Sequence, residues 1–258
     1  MKTILIPAVI LAVLTVPVRG QDPVDIIRKS RDAVQIPSFE AVSTLTITDS
    51  RGNQRTRQSS MASKTFEDNT EKRIIKFISP AEVQGTGILI FDYENKDDDM
   101  WIYLPALRKT RRIVSSEKSN SFMGSEFSNA DMTAPSVEDF QYNLLGSENI
   151  EETECWKIES VPVNIDKEDE YGYSRSVRWI GKNDYIARRS EYFDYDGALI
   201  KRIETLEFQL LDRSNKKYMV TDMVAENFQN ERSSRMKMDK IEITETDENY
   251  FTVTYLER

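Results

Sequence analysis

Beyond Pro37 the chain alternates apolar and polar positions with a period of two. Phe39, Ala41, Ser43, Leu45 and Ile47 take one side, and Glu40, Val42, Thr44, Thr46 and Thr48 the other, as far as the turn DSRGNQ. Successive side chains of a strand point to opposite faces, so this pattern predicts a strand running into a hairpin. The rhythm returns in EKRIIKFIS, GILIFDYE, MWIYLP, KTRRIV, CWKIESVPV, SRSVRWIG, YIARRSEYFD, ALIKRIETLEFQLL, KYMVTDMVAENF, MKMDKIEITE and YFTVTYLE, each bounded by Gly, Pro, Asn, Asp or Ser. Asp196-Gly197 is the strongest hairpin signal among the turns. Strands in series with short connections predict a mainly β protein: an antiparallel meander of about ten to twelve strands, closed or partly closed into a barrel.

Before Pro37 the period is near 3.6. In DPVDIIRKSRDAV, Asp22 suits an N-cap, Pro23 the first helical position and Asp25 the positive helix end, with Val24, Ile27, Arg31 and Val34 at helical spacing. An N-terminal amphipathic helix is expected.

The strands are not alike in their faces. Late strands read as half-wet, with Tyr173, Val177 and Trp179 opposite Ser174, Ser176 and Arg178, and Leu206, Phe208 and Leu210 opposite Thr205, Glu207 and Gln209. Early ones are apolar on both sides. Ile75 and Phe77 oppose Ile74 and Ile78, Ile88 and Ile90 oppose Leu89 and Phe91, and Met100, Ile102 and Leu104 oppose Trp101 and Tyr103. A strand apolar on both sides needs cover on both. The cover is either core plus the N-terminal helix, or a cavity that takes an apolar ligand.

The first twenty residues change the setting. Lys2 supplies a positive start, Ile4 to Val18 a short apolar run broken by Pro7, Thr15 and Pro17, and Val18-Arg19-Gly20 small residues at a cleavage position. This reads as a secretory signal removed after Gly20, the competing reading being a transmembrane anchor. No Cys stands at the cleavage point to accept a lipid anchor. The expected organisation is therefore a signal peptide over 1–20 and a single β domain over 21–258, exported in soluble form.

Charge and rare residues then remove whole classes of function. The net charge of -9 becomes -11 once Lys2 and Arg19 leave, a surface that repels nucleic acid. Without any histidine there is no Ser-His-Asp or Cys-His arrangement and no histidine zinc site. The lone Cys155, beside Trp156 in a strand, reads as a buried structural thiol. Asp194-x-Asp196-Gly197 lacks the later ligands of a calcium loop, and Gly85-Thr86-Gly87 lacks the spacing of a phosphate loop. The clusters Asp97 to Asp99 and Asp166 to Glu170 read as solvated loop charge. No catalytic residue, cofactor or metal is expected.

The remaining candidate site is DMWIYLPALRKTRRI followed by SFMGSEFSNADMT. Trp101, Tyr103 and Leu104 belong to a two-sided apolar strand, Pro105 ends it, and Arg108, Lys109, Arg111 and Arg112 begin the next strand. Phe122, Met123, Phe127 and Met132 then lie on a Gly- and Ser-rich stretch that reads as an adaptable apolar flap over a cavity mouth, since Met suits cargo of variable shape. The basic run would meet a phosphate or carboxylate head group, or an acidic partner. The alternative is a loop packed on the core beside a solvated strand face.

This stretch resembles the signature of the outer-membrane lipoprotein-sorting proteins, the LolA-like group. With DIIRKSRDAV and CWKIESVP, the resemblance covers nearly the whole mature chain. It implies an incomplete, half-open antiparallel barrel with helices plugging its concave face. It also implies a monomeric periplasmic role in binding an acyl chain, lipid or lipoprotein in transit, in company with an inner-membrane transporter of the exporter type. The alternative function is a regulatory or sensor protein of the same fold that binds a membrane-anchored signalling partner. An enzyme ranks third.

Overall fold

The computed structural model describes residues 21–94 and 96–258, so the expected signal peptide lies outside the described residues. One antiparallel sheet of thirteen strands dominates it. The strands are β1 (Ser38–Thr48), β2 (Gln54–Thr65), β3 (Glu71–Ser79), β4 (Gly87–Asp92), β5 (Asp99–Leu104), β6 (Lys109–Ile113), β7 (Phe140–Ile150), β8 (Thr153–Pro162), β9 (Arg175–Gly181), β10 (Ala187–Phe193), β11 (Leu199–Asp212), β12 (Lys217–Asn227) and β13 (Arg232–Glu242). Their order across the sheet is β6-β5-β4-β3-β2-β1-β13-β12-β11-β10-β9-β8-β7, so every neighbour is a sequence neighbour except at the β1–β13 seam. The sheet curls without closing, and its two edges, β6 and β7, are joined by residues 114–139.

Two strands escaped the pattern reading. β2 offers few apolar residues, yet it pairs with β1 along its whole length, and its Ser59 shares a buried hydroxyl hydrogen bond of 2.9 Å with Ser43. β7 is an edge strand exposed along most of its length, so no burial marks it in the sequence. In the other direction, YFTVTYLE is not a strand. Thr252 caps a short helix α3 (Val253–Leu256) by accepting from the Tyr255 N–H, and Phe251 and Leu256 turn into the protein.

The early strands are covered on both faces, as two-sided apolar strands must be. On the concave face Ile75, Phe77, Ile88, Ile90 and Met100 join Leu45, Met61 and Met236 in the main core. On the convex face Ile74, Leu89, Trp101 and Tyr103 pack under Phe251, Leu256, Tyr250 and Tyr255 from the C-terminal segment. Gly87 lets that segment come close, because a Cβ there would stand 2.6 Å from the Leu256 Cδ1.

The N-terminal helix α1 (Pro23–Val34) forms as its caps predict, with the Asp22 carboxylate accepting from the Val24 N–H at 3.0 Å. Its buried stripe is Ile26, Ile27, Ser30 and Ala33, one position away from the expected one, and Val34 is exposed. Ile26 and Ile27 pack on Trp156, Ile158 and Ile180, on the concave side of β8 and β9.

The late strands are turned relative to expectation. Ser176 and Arg178 face the concave side, while Val177 and Trp179 join Cys155 on the convex one. There the stems of Lys157 and Arg189 cover Trp179, the Lys157 ammonium standing 4.9 Å from the ring centre. Likewise Thr205 points inward, and Leu206 and Leu210 are exposed outside. Long charged side chains replace a second layer here, so apolar residues on the outer face do not mark the core.

Candidate functional site

The concave face, α1 and the 114–139 connection line a cavity of about 390 Å³ that is open to solvent on one side. That volume falls at the lower end of the range of small-molecule sites, about 300–1,000 Å³. Phe39, Leu45, Ile75 and Phe77 supply one wall, Ile27 and Val34 of α1 another, and Phe122 and Met132 a third. Six of the chain's nine methionines line it: Met61, Met132, Met219, Met223, Met236 and Met238. Unbranched thioether side chains adapt to ligands of varied shape at low cost, which suits a flexible hydrocarbon.

The connection crossing the concave face has little regular structure, and connections of this length are unusual unless functional. It is held by polar bonds to the sheet instead. The Arg57 guanidinium donates to the Met123 carbonyl, Arg232 to the Gly124 carbonyl at 3.1 Å, and Arg73 to the Met132 carbonyl at 3.0 Å. The Glu126 N–H donates to Ser234 Oγ at 3.0 Å, and Lys201 pairs with Asp131 at 2.6 Å. Met123 and Gly124 adopt positive φ, which turns the chain so that Phe122 and Phe127 both point inward.

The residues singled out in the sequence are thus separated. Phe122 and Met132 line the cavity. Phe127, 1% exposed, is packed within the main core, and Met123 lies half-buried against it. Trp101 and Tyr103 are on the convex face, away from the cavity, because alternation along β5 sends Met100 and Ile102 inward. Leu104 ends β5, half-buried. The basic run is outside the cavity altogether. Arg111 pairs with Glu117 at 2.8 Å and Arg112 with Asp99, while Arg108 and Lys109 are exposed at the β5–β6 turn.

Charged groups that sequence reading passed over gather at the cavity wall: Arg31, Glu71, Arg73, Asp92, Asp131 and Arg178. Glu71 pairs with Arg73, which holds its carboxyl low despite burial. Asp92 accepts from Arg31 Nη2 at 2.6 Å and from the Ala134 N–H at 2.8 Å, tying α1 and the connection to β4. Burial and the neighbouring Asp98 nevertheless push the Asp92 carboxyl up to about 7.

A pH dependence follows from Asp92. Its folded pKa lies above its unfolded one, so between these values the native state binds the extra proton, and stability is lost as pH rises through about 7. Scanning calorimetry is expected to show a falling melting temperature from pH 5 to pH 8. In Asp92→Asn that part of the fall disappears, on the order of 3 kcal/mol. Glu71, shifted the other way, acts at more acidic pH, outside this window. An unchanged slope in the variant would assign the dependence elsewhere.

Among the described residues no group of three or more Cys, Asp or Glu is arranged to hold a metal ion, and no helix is long and apolar enough to cross a membrane. The Cys155 thiol is fully buried, and burial pushes its pKa up, the reverse of an activated nucleophile.

A protein-family model described as "Uncharacterized protein"-like matches residues 69–258. No curated protein matches the chain. Among solved structures, an outer membrane lipoprotein-sorting protein domain from Vibrio parahaemolyticus is 26% identical with a TM-score of 0.82, over 92% of this chain and 98% of that one. A DUF1329 family protein from Desulfovibrio piger is 29% identical with a TM-score of 0.82, over 92% and 100%. A LolA superfamily protein from Nitrosomonas europaea, 17% identical over 92% and 100% with a TM-score of 0.69, shares the fold. The chain therefore belongs to the family whose model, described as an uncharacterized protein, spans residues 69–258, and it is similar in overall structure to outer-membrane lipoprotein-sorting, DUF1329 and LolA superfamily proteins.

Proposed function

We propose that the protein is a non-catalytic periplasmic carrier that holds an acyl chain of a lipid or lipoprotein in the concave cavity. In this reading residues 21–258 act as one domain and as a monomer, exported by the signal over residues 1–20. The observation that carries the reading is the methionine-lined cavity of about 390 Å³ inside a LolA-like sheet. Burying a hydrocarbon chain against such walls is favourable at roughly 25 cal/mol per Å². Cargo would pass toward the outer membrane, received from a membrane transporter of the exporter type. The exposed Arg108 and Lys109 would meet an acidic head group or partner at the rim.

Native mass spectrometry of protein purified without detergent is the direct test. Acyl-lipid adducts are expected on the folded protein, and they should be lost on delipidation and regained on exposure to lipid vesicles. Protein free of adducts that also takes up no acyl-chain probe after delipidation would rule the carrier reading out.

A further inference from the structure

Three of the cationic side chains at this site have a carboxylate. Arg31 pairs with Asp92 at 2.6 Å, Arg73 with Glu71, and Lys201, beside the wall, with Asp131 at 2.6 Å. The fourth, Arg178 on β9, pairs with no carboxylate among the described residues. The strand register explains this. Across the sheet Arg178 stands between Ile158 of β8 and Ser190 of β10. Arginines of the convex face nearby find glutamates: Arg175 is 3.8 Å from Glu159, Arg189 is 2.8 Å from Glu204, and Arg202 is 2.7 Å from Glu191.

The charge of Arg178 acts on the phenols of Tyr142, Tyr173 and Tyr192, all raised by burial and hence neutral. The nearest carboxylates, Asp131 and Asp139, act on the same phenols as Arg178 but stand beyond ion-pairing distance of it, and Asp131 is already paired with Lys201. Ile158, packed with Ile27 of α1, closes the apolar side. A half-buried guanidinium beside an apolar cavity has lost part of its hydration without gaining a counter-ion. Its planar fork matches the geometry of a carboxylate or phosphate, and the low-polarity surroundings strengthen such a pair.

We propose that Arg178 anchors the anionic end of the cavity's occupant, so that the ligand class is an acyl chain ending in a carboxylate or phosphate. This rests on the carrier reading above. The chain would run from Arg178 along the methionines of β12 and β13 toward Phe122. Cargo selection then lies inside the cavity, on β9, and not in the basic run at the rim.

The test uses the delipidated full-length protein and three probes of one chain length: laurate, lauryl phosphate and lauryl alcohol. Each displaces a neutral naphthylamine dye from wild type, Arg178→Gln and Arg178→Lys. Wild type is expected to bind one or both anions at least about tenfold more tightly than the alcohol, as a charge-assisted pair implies. Whichever anion shows the preference identifies the head-group chemistry. Arg178→Gln should lose that preference while keeping its affinity for lauryl alcohol and its melting temperature. Arg178→Lys, which keeps the charge without the fork, should retain an intermediate preference, and it substitutes for the Gln variant should that one fold poorly. An anion-to-alcohol ratio unchanged in Arg178→Gln overturns the anchor and leaves the carrier reading standing. Failure of all three probes to bind wild type overturns both.

Discussion

Phe127→Ala is expected to lower the free energy of unfolding by about 3–5 kcal/mol, the usual cost of emptying a fully buried aromatic site. The ring is 1% exposed and lies in the same cluster as Phe122, Phe77 and Met132. Its backbone is fixed as well, since the Phe122 N–H donates to the Phe127 carbonyl at 2.8 Å. Collapse around the vacancy is therefore limited. Phe208→Ala is the matched control. That ring sits on the convex face, half-buried, edge-on to Tyr218 at 5.9 Å and under the Arg188 guanidinium, so its loss should cost about 1 kcal/mol. Urea titration with unchanged slope measures both. Equal losses would mean that residues 114–139 contribute no more to the core than a convex surface ring does.

The second large effect concerns binding. Met223 lies midway along the cavity wall, paired across the sheet with Met236 on one side and Thr205 on the other. Met223→Trp would place an indole in a space of about 390 Å³ and is expected to weaken acyl-probe binding by about a hundredfold or more. Because Met223 is only half-buried, the fold should survive, with overpacking costing about 1–3 kcal/mol. Probe affinity is read by dye displacement and folding by circular dichroism. Undiminished affinity in a folded variant would place the acyl site elsewhere.

The sheet was legible where burial writes a period of two. β1 carries that signal, β3, β4 and β5 show instead as short apolar runs between turns, and the turn at Asp194 to Ala198 carries its Gly. β2 and β7 were illegible because a strand paired through serines, or exposed at an edge, leaves no apolar pattern. The inside of the late strands was misread for a related reason. Alternation reports two faces but not which is concave, and Lys157, Arg189 and Arg188 shield outward rings as a second layer would.

The candidate site was half visible. Phe122 and Met132 stood out, as did the need to cover a two-sided strand. Trp101 and Tyr103 seemed to belong with them because they are close in sequence, whereas one step along β5 reverses the face. The methionines of MKMD and KYMV were the missed signal: Met219, Met236 and Met238 fall in strands whose apolar spacing alone looks ordinary. Arg178 could not be singled out, since only the pairing register reveals that its neighbours are Ile158 and Ser190.

The β1–β13 seam has a consequence for the growing chain. Every other pairing is between consecutive strands, but Thr44 of β1 lies opposite Lys237 of β13, close to the far end of the sequence. As the chain is made, β1 can pair with β2 almost at once, while its other edge has no partner until nearly all the remaining residues have been added. An unpaired edge invites association with other chains. For that interval the unpaired N–H and C=O groups of β1 from Glu40 to Thr48 lie open at the sheet edge, with Phe39, Leu45 and Ile47 on one face beside them and Thr44, Thr46 and Thr48 on the other. The nascent half-sheet thus keeps one edge open to a wrong strand until Arg232–Glu242 arrive to close it.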